Sequence, residues 1–215
     1  MSRKSPSYQA VLFDMDGVLI DSMPCHKSAF DEVLTPFGIS VDIEDIAGRS
    51  TKEIIASLLS DTLTEVQQQA VCQAKTDAAL KIMRSLGKEL LLPGAPEVVQ
   101  SISAIVPVAL CTSASMNTVS FVLSVLLGDC NFATVVTSAD VRYAKPHPQV
   151  YTLAIQQLGL SPSICLVVED SESGVVAGHT AGCEVSHLTQ HCSQTNHCSA
   201  RHHIKVLSDI LPLVR

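Results

Sequence analysis

The sequence predicts an α/β protein in which a parallel sheet is covered by helices on both faces and a helical segment follows the first strand. Over residues 92–215, short apolar runs typical of buried strands alternate with stretches of helical periodicity. Another apolar run lies near the amino terminus, and residues 21–91 carry only helical patterns. The chain has 215 residues and is 47% apolar, so it can bury a large core. We therefore expect a core domain from residues 1–20 and 92–215 and a helical subdomain from residues 21–91.

The first strand is predicted at Val11–Phe13, where the apolar run changes abruptly into Asp14, Met15 and Asp16. Gly17 allows the chain to turn at once, which would keep both carboxylates near the end of the strand. Adjacent carboxylates repel each other unless a cation lies between them or one of them holds a proton. An aspartate at this position is a candidate nucleophile, and an Asx turn after a buried strand is the alternative.

Three helices are predicted in the inserted segment. The first begins near Met23 and ends at Gly38, and the other two begin with capping-box patterns at Ser50–Glu53 and Thr64–Gln67. The third runs to about Leu86 and is followed by a glycine. No strand pattern interrupts them.

The remaining elements alternate between helix and strand. In chain order they are a helix over 95–105, a strand over 106–111, a helix through 119–126, a strand over 132–137, a helix over 149–158, a strand over 164–168, a helix over 173–182, a strand over 183–187 and a helix near 206–211.

Polar side chains follow the predicted strands directly. Thr112 and Ser113 follow the second strand, Lys145 lies in the loop after the third, and Glu169 and Asp170 follow the fourth. Because the carboxyl ends of parallel strands lie at one edge of the sheet, we expect these groups to meet the two aspartates of the first strand in one crevice. The alternatives are a helix N-cap for the hydroxyl pair and a surface position for the lysine.

The acidic residues suit a Mg²⁺ site. Mg²⁺ prefers oxygen ligands, and Asp14, Asp170 and the backbone carbonyl of Asp16 would supply them, with Glu169 nearby. The cation would offset the repulsion between these carboxylates and an incoming phosphate. Mg²⁺ is therefore the one cofactor that the sequence predicts.

The other polar residues suit phosphoryl transfer. Asp14 would attack phosphorus, and Lys145, Thr112 and Ser113 would bind the phosphoryl oxygens, where negative charge develops. Asp16 would protonate the leaving oxygen and later activate the water that cleaves the aspartyl-phosphate. The expected partner is a small-molecule phosphate ester.

Four stretches of the chain resemble the signature motifs of the haloacid dehalogenase superfamily, in particular the subgroup that contains β-phosphoglucomutase and many small-molecule phosphatases. These stretches are Val11–Ser22, Leu110–Ser113, Ala144–Tyr151 and Val167–Gly174. The resemblance implies a Rossmann-like, doubly wound core and a helical cap inserted just after the first motif.

The resemblance also implies a role for each matching residue. It makes Asp14 the nucleophile, Asp16 the acid/base, Thr112 the hydroxyl of the second motif and Lys145 the lysine of the third. The acids of the fourth motif, Glu169 and Asp170, would lie beside the metal.

Substrate choice in this family depends on cap residues, and His26 and Arg49 lie where such contacts are expected. His26 has the spacing after the first motif at which the mutase carries a cap histidine. Gly48–Lys52 departs from the mutase pattern because its arginine is displaced. For both residues the alternative is an ordinary position on a helix surface.

We therefore expect a Mg²⁺-dependent phosphatase of a small phosphorylated metabolite, acting through a phosphorylated Asp14. One alternative is a sugar phosphomutase, and a second is a non-catalytic phosphate-binding or phospho-acceptor module. The sequence lacks the GxxxxGK[ST] loop of nucleotide kinases and a GxGxxG loop after a strand, which argues against those two enzyme classes.

Composition limits the other partners. The net charge is −7 and no basic block occurs, so nucleic acid is not expected as a partner. No apolar stretch reaches about 18 residues, which argues against a membrane span, and the polar amino terminus lacks a signal-peptide pattern. The eight scattered cysteines are typical of buried residues in a reducing compartment. We expect a cytoplasmic monomer or weak dimer.

One segment, residues 187–203, is unusually rich in histidine and cysteine. We predict a solvated loop there, because the spacing of these residues does not match a tetrahedral metal site. Zn²⁺ or Cu⁺ binding by His191, Cys192, His197 and Cys198 is the alternative.

Overall fold

The computed structural model describes residues 8–46, 49–189 and 199–214. The chain forms two compact units, of which the first comprises residues 1–20 and 91–215 and the second comprises residues 21–90. The first unit contains the sheet, and the second is helical.

Strands and helices are numbered in chain order. The strands are β1 (Ala10–Phe13), β2 (Val108–Cys111), β3 (Thr134–Val136), β4 (Cys165–Glu169), β5 (Glu184–Leu188) and β6 (His202–Ile204). The α-helices are α1 (Met23–Leu34), α2 (Ile43–Ile46), α3 (Thr51–Leu59), α4 (Glu65–Leu86), α5 (Ala95–Ser103), α6 (Met116–Phe121), α7 (Gln149–Leu158), α8 (Glu172–Thr180) and α9 (Leu211–Val214). A π-helical stretch, Val122–Leu126, continues α6, and a 3₁₀ turn, Leu207–Ile210, precedes α9.

The six strands form one parallel sheet in the order β3-β2-β1-β4-β5-β6. The first strand therefore lies between β2 and β4, and the carboxyl ends of all three meet at one edge. This arrangement is the doubly wound α/β fold predicted from the alternation of strands and helices.

Both faces of the sheet are buried, as expected for parallel strands. On one face, alternate strand residues such as Leu12 and Val167 pack with Tyr151 of α7 and Val175 of α8. Phe13, which points to the other face, is also fully buried. Burial of each large apolar side chain contributes about 1.5–3 kcal/mol to stability.

Strand β6 was not predicted. His187 lies in β5, in agreement with the strand predicted over 183–187, but His202 and His203, which were expected in a solvated loop, begin a strand that pairs with β5. The prediction was wrong here because histidine-rich sequence lacks an apolar strand pattern, whereas pairing with β5 depends on residues distant in the chain. The proposed metal ligands of this segment, residues 191, 192, 197 and 198, lie outside the described residues.

The helical unit has its own core, which α1, α3 and α4 share. Both predicted capping boxes are present, since Ser50 accepts a hydrogen bond from the backbone amide of Glu53 and Thr64 accepts one from that of Gln67. The core includes Phe30, Leu34, Val41, Ile46, Ile54, Ile55 and Leu59. The short helix α2 was not predicted.

The chain leaves and re-enters the first unit at neighbouring points. Ile20 forms an antiparallel bridge with Leu91, and the amide of Leu92 donates to the carbonyl of Leu19 at 3.0 Å. The sheet-bearing unit is thus closed by hydrogen bonds at the position where the helical segment is inserted.

Within the described residues, no helix has both the length and the apolar character needed to cross a membrane. Six cysteines fall in the described part of the chain, and all six are free thiols. Four of them are buried, as the sequence predicted for most of the cysteines: Cys25, Cys111, Cys165 and Cys183.

Candidate active site

Asp14 directly follows β1 and therefore lies at the carboxyl end of the central strands of the sheet. Its backbone amide donates to the carbonyl of Val168 in the neighbouring β4 at 3.0 Å, and its side chain is almost completely buried. Gly17 then turns the chain with a φ of 79°, which places its amide 2.8 Å from the carbonyl of Ile20. Asp16, between them, is half-buried. The apolar strand, the two acids and the glycine therefore have the arrangement expected from the sequence.

Lys145 joins the ends of three strands. Its Nζ donates to Asp14 Oδ1 at 2.7 Å, to Glu169 Oε1 at 2.6 Å and to the carbonyl of Cys111 at 3.2 Å. Burial alone would lower the pKa of Lys145, but the two carboxylates outweigh burial and raise the pKa above its ordinary value. The alternative of a surface lysine is therefore wrong.

Glu169 is the last residue of β4 and is fully buried. Besides the lysine, the hydroxyl of Tyr151 donates to Oε1 at 2.6 Å. The amides of Asp170 and Ser171 and the hydroxyl of Ser171 donate to Oε2 at 3.1, 3.3 and 3.1 Å. Gly174 leaves room for this carboxylate, because a Cβ there would lie 1.9 Å from Glu169 Cδ.

Three carboxylates in the first unit form a group that could hold a metal ion. Asp14, Glu169 and Asp170 each offer one oxygen, and these oxygens lie within 4.8 Å of one another. Burial and the neighbouring Glu169 raise the pKa of Asp14 to about 8, and burial with the same neighbour raises the pKa of Asp170 well above its ordinary value. Anionic groups held this close at the cost of raised pKa values favour a cation between them.

The fit to a hard cation is supported by the donor atoms and by a close backbone approach. All the offered ligands are oxygens, which Mg²⁺ prefers. A Cβ on Gly17 would lie 1.9 Å from Asp170 Oδ2, so only glycine leaves this carboxylate its position. The group of three does not include the carboxylate of Asp16, for which the sequence predicted a metal contact through the backbone carbonyl.

Thr112 and Ser113 follow β2 but differ in environment. Thr112 is fully buried, and its hydroxyl lies 3.5 Å from Asp16 Oδ2 and accepts a hydrogen bond from the amide of Ala114 at 3.0 Å. Ser113 is exposed. The N-cap of α6 is Ser115, so the alternative that the Thr112–Ser113 pair caps this helix is wrong.

His26 lies in the helical unit beside a lysine that the sequence analysis missed. The Nζ of Lys75 is 2.9 Å from His26 Nδ1 and 4.5 Å from the ring centroid of Phe30. Lys75 is 4% exposed, which is rare for lysine. A signal was present in the sequence, because Lys75 precedes Ala78 and Ala79 by three and four positions and thus lies on the apolar stripe of its helix.

Arg49 also lies in the helical unit and is exposed. Its guanidinium donates to the carbonyl of Asp45 and to the hydroxyl of Ser57, both at 3.1 Å. The bond to Ser57 connects the segment before α3 with α3 itself.

In the core unit, the sequence analysis missed Tyr151 and Ser171. A tyrosine on the apolar face of a helix usually has a partner for its hydroxyl, and Tyr151 is in the same motif as Lys145. Ser171 occupies the N-cap of α8, which its position before a helical pattern could have indicated.

Comparisons with a family model, with known protein sequences and with solved structures agree with one another. The family model of haloacid dehalogenase-like hydrolases matches residues 8–182. The chain is 30% identical over 179 residues to a fructose-1-phosphate phosphatase of Escherichia coli (strain K12), covering 81% of this chain and 93% of that protein. It is 32% identical over 175 residues to hexitol phosphatase A of the same organism, covering 81% and 80%. The crystal structure of a β-phosphoglucomutase from Clostridium difficile has the same fold, with a TM-score of 0.82 at 21% identity, covering 94% of this chain and 93% of that one.

Proposed function

Because this chain belongs to the haloacid dehalogenase-like hydrolases, we propose that it is a Mg²⁺-dependent phosphatase of a small phosphorylated metabolite, such as a sugar phosphate. The observation that most directly supports this function is the environment of Asp14. Its carboxylate lies at the end of the central strand, 2.7 Å from the ammonium group of Lys145 and grouped with two further acids.

In the proposed reaction, Asp14 attacks phosphorus, the bond to the leaving oxygen breaks, and an aspartyl-phosphate forms. Asp16 gives its proton to the leaving oxygen and then removes one from the water that releases phosphate. Lys145 and Thr112 bind the phosphoryl oxygens, with Ser113 as a further donor, and stabilise the charge that develops there. Lys145 suits this role because its two carboxylate partners keep it protonated.

Asp14 and Asp170 would hold Mg²⁺, together with the backbone carbonyl of Asp16. When bound, the ion would offset repulsion between these carboxylates and the phosphate and would polarise the transferring group. Glu169 fixes the lysine and the start of α8, because both of its oxygens already accept hydrogen bonds from the protein.

We further propose that the substrate is a sugar or polyol phosphate and that His26 and Arg49 contact its leaving group. The relatives named for fructose 1-phosphate and hexitol phosphates support this choice. The imidazole–ammonium pair of His26 and Lys75 is suited to binding sugar hydroxyls, because it offers donors in a largely buried setting.

The test is phosphate release from a panel of esters that includes fructose 1-phosphate, a hexitol phosphate and β-glucose 1-phosphate, with Mg²⁺ or with EDTA. We expect metal-dependent release by the wild type, none by Asp14→Asn, and normal release by Asp129→Asn, which changes an exposed acid of the same unit. Metal-dependent hydrolysis that persists in Asp14→Asn would contradict the nucleophile assignment.

The same panel tests the alternatives. His26→Ala and Arg49→Ala should change the ranking of the esters, and an unchanged ranking would remove both residues from the leaving-group site. Glucose 6-phosphate formed from β-glucose 1-phosphate would instead identify a mutase. No reaction with any ester would favour a phosphate-binding role.

A further inference from the structure

His187 lies in β5, a strand that carries none of the predicted site residues. It contacts Asp170, a member of the group of three acids described above. It is 2% exposed and is paired in register with Glu169 of β4. Its Nε2 lies 3.1 Å from the backbone carbonyl oxygen of Asp170. Since a carbonyl oxygen only accepts, Nε2 carries the hydrogen in this contact, which fixes the tautomer of a neutral ring.

This contact restrains the backbone carbonyl of Asp170, which the hydrogen bonds of the sheet do not restrain. Asp170 follows the last residue of β4, so its carbonyl lies beyond the regular pairing with β5. Its amide donates to Glu169 Oε2, and its carboxylate lies against Gly17. The bond from His187 adds a constraint at the carbonyl, so the amide and the carbonyl of Asp170 are both hydrogen-bonded while its carboxylate lies close beside Gly17.

We propose that His187 is a positioning residue, which orients the carboxylate of Asp170 for the divalent cation by anchoring the carbonyl of the same residue. The inference rests on the metal site of the proposed function. Without the anchor, the peptide after Asp170 is restrained only by the Ser171 amide, which lies 3.3 Å from Glu169 Oε2, and the direction of the Asp170 carboxylate is less firmly fixed. Partners that orient metal ligands typically change metal affinity by about 10–100-fold when they are removed.

The packing of the imidazole offers the competing explanation. The ring of His187 meets that of His203 edge-to-face, with 5.9 Å between centroids. If His187 served only to fill space between β5 and β6, a side chain of similar volume would replace it. A hydrogen-bonding role instead requires a donor near the position of Nε2, which a glutamine amide can supply.

The experiment measures Mn²⁺ binding by electron paramagnetic resonance, without substrate, and follows thermal unfolding of each variant. We expect His187→Leu to weaken Mn²⁺ binding about tenfold and His187→Gln to restore it to near the wild-type value. The matched control is His203→Leu, which removes the ring partner without touching Asp170 and should bind Mn²⁺ normally.

The outcomes separate the inference from the proposed function. Normal binding by both His187 variants, or equal weakening by Leu and Gln, would overturn the positioning role while the metal site stands. A weakening of the same size in His203→Leu would show a packing effect and would also overturn it. Failure of the wild type to bind Mn²⁺ would contradict the metal site itself, and the inference with it.

Discussion

At the scale of single residues, the site depends on a carboxylate that has no contact with solvent. Leaving a charge unpaired in the interior costs several kcal/mol, so Glu169 requires compensation on both oxygens. Lys145 and Tyr151 supply it at one oxygen, and Ser171 with the amide of Asp170 supplies it at the other. Glu169 therefore links β4, α7 and the start of α8 through hydrogen bonds to its two oxygens.

Gly17→Ala should abolish Mn²⁺ binding and phosphate release. The added Cβ would lie 1.9 Å from Asp170 Oδ2, so the carboxylate must move. The matched control is Gly94→Ala, because Gly94 has a similar φ of 76° but open space around its Cα. Both variants should lose about 1–2 kcal/mol from backbone strain, measured by urea unfolding.

Only the variant at position 17 should lose metal binding, measured by Mn²⁺ titration. Equal Mn²⁺ affinity in the two variants would contradict the steric argument.

The residues that were predicted and those that were missed differ in a physical respect. Asp14, Lys145 and Asp170 could be brought together from the sequence because parallel strands end at one edge of a sheet. Tyr151 and His187 could not, because each acts through a side chain whose direction depends on packing between elements. The hydroxyl of Tyr151 and the imidazole of His187 reach Glu169 and Asp170 from another helix and another strand.

At the scale of elements, local signals predicted helices better than strands. The capping boxes at Ser50 and Thr64 and the bounds of α7 are read from neighbouring residues, and all agree with the structure. The strand expected over 132–137 is three residues long, and β6 was missed altogether. Strand pairing depends on residues far apart in the chain, so the length of a strand cannot be predicted from neighbouring residues alone.

Thr64→Ala should destabilise the helical unit by about 1 kcal/mol, the typical cost of losing an N-cap. The hydroxyl of Thr64 accepts a hydrogen bond from the amide of Gln67, and alanine leaves that amide without its acceptor. The control is Ser60→Ala at the end of α3, where the capping bond is made by the backbone amide and is retained. Hydrogen exchange of the first-turn amides of α4 provides the measurement, and equal protection in both variants would contradict the prediction.

At the scale of the whole molecule, the core unit contains the complete six-stranded sheet and the group of three acids. Its chain is interrupted between Ile20 and Leu91, and these two residues are bridged. A short connection can therefore join them without stretching the backbone. The entropic cost of closing a loop rises slowly with its length, by about 0.6 kcal/mol for each doubling.

Replacing residues 21–90 by a short Gly-Ser linker should leave a folded core that binds Mn²⁺. The acids and the lysine all belong to the retained unit, so their mutual contacts should persist. Circular dichroism and Mn²⁺ titration measure the two properties. Asp170→Ala in the shortened chain is the control and should bind weakly, whereas an unfolded shortened chain would refute the independence of the core.

The close approach of two glycines to acids also limits how this sequence can evolve. Gly17 lies against Asp170, and Gly174 lies against Glu169, each at a distance that excludes even one added carbon. A mutation at either glycine is accessible only together with a change in the acid that it faces. As long as the acids are needed for the site, the two glycines should be retained with them, although 153 positions separate Gly17 from Asp170.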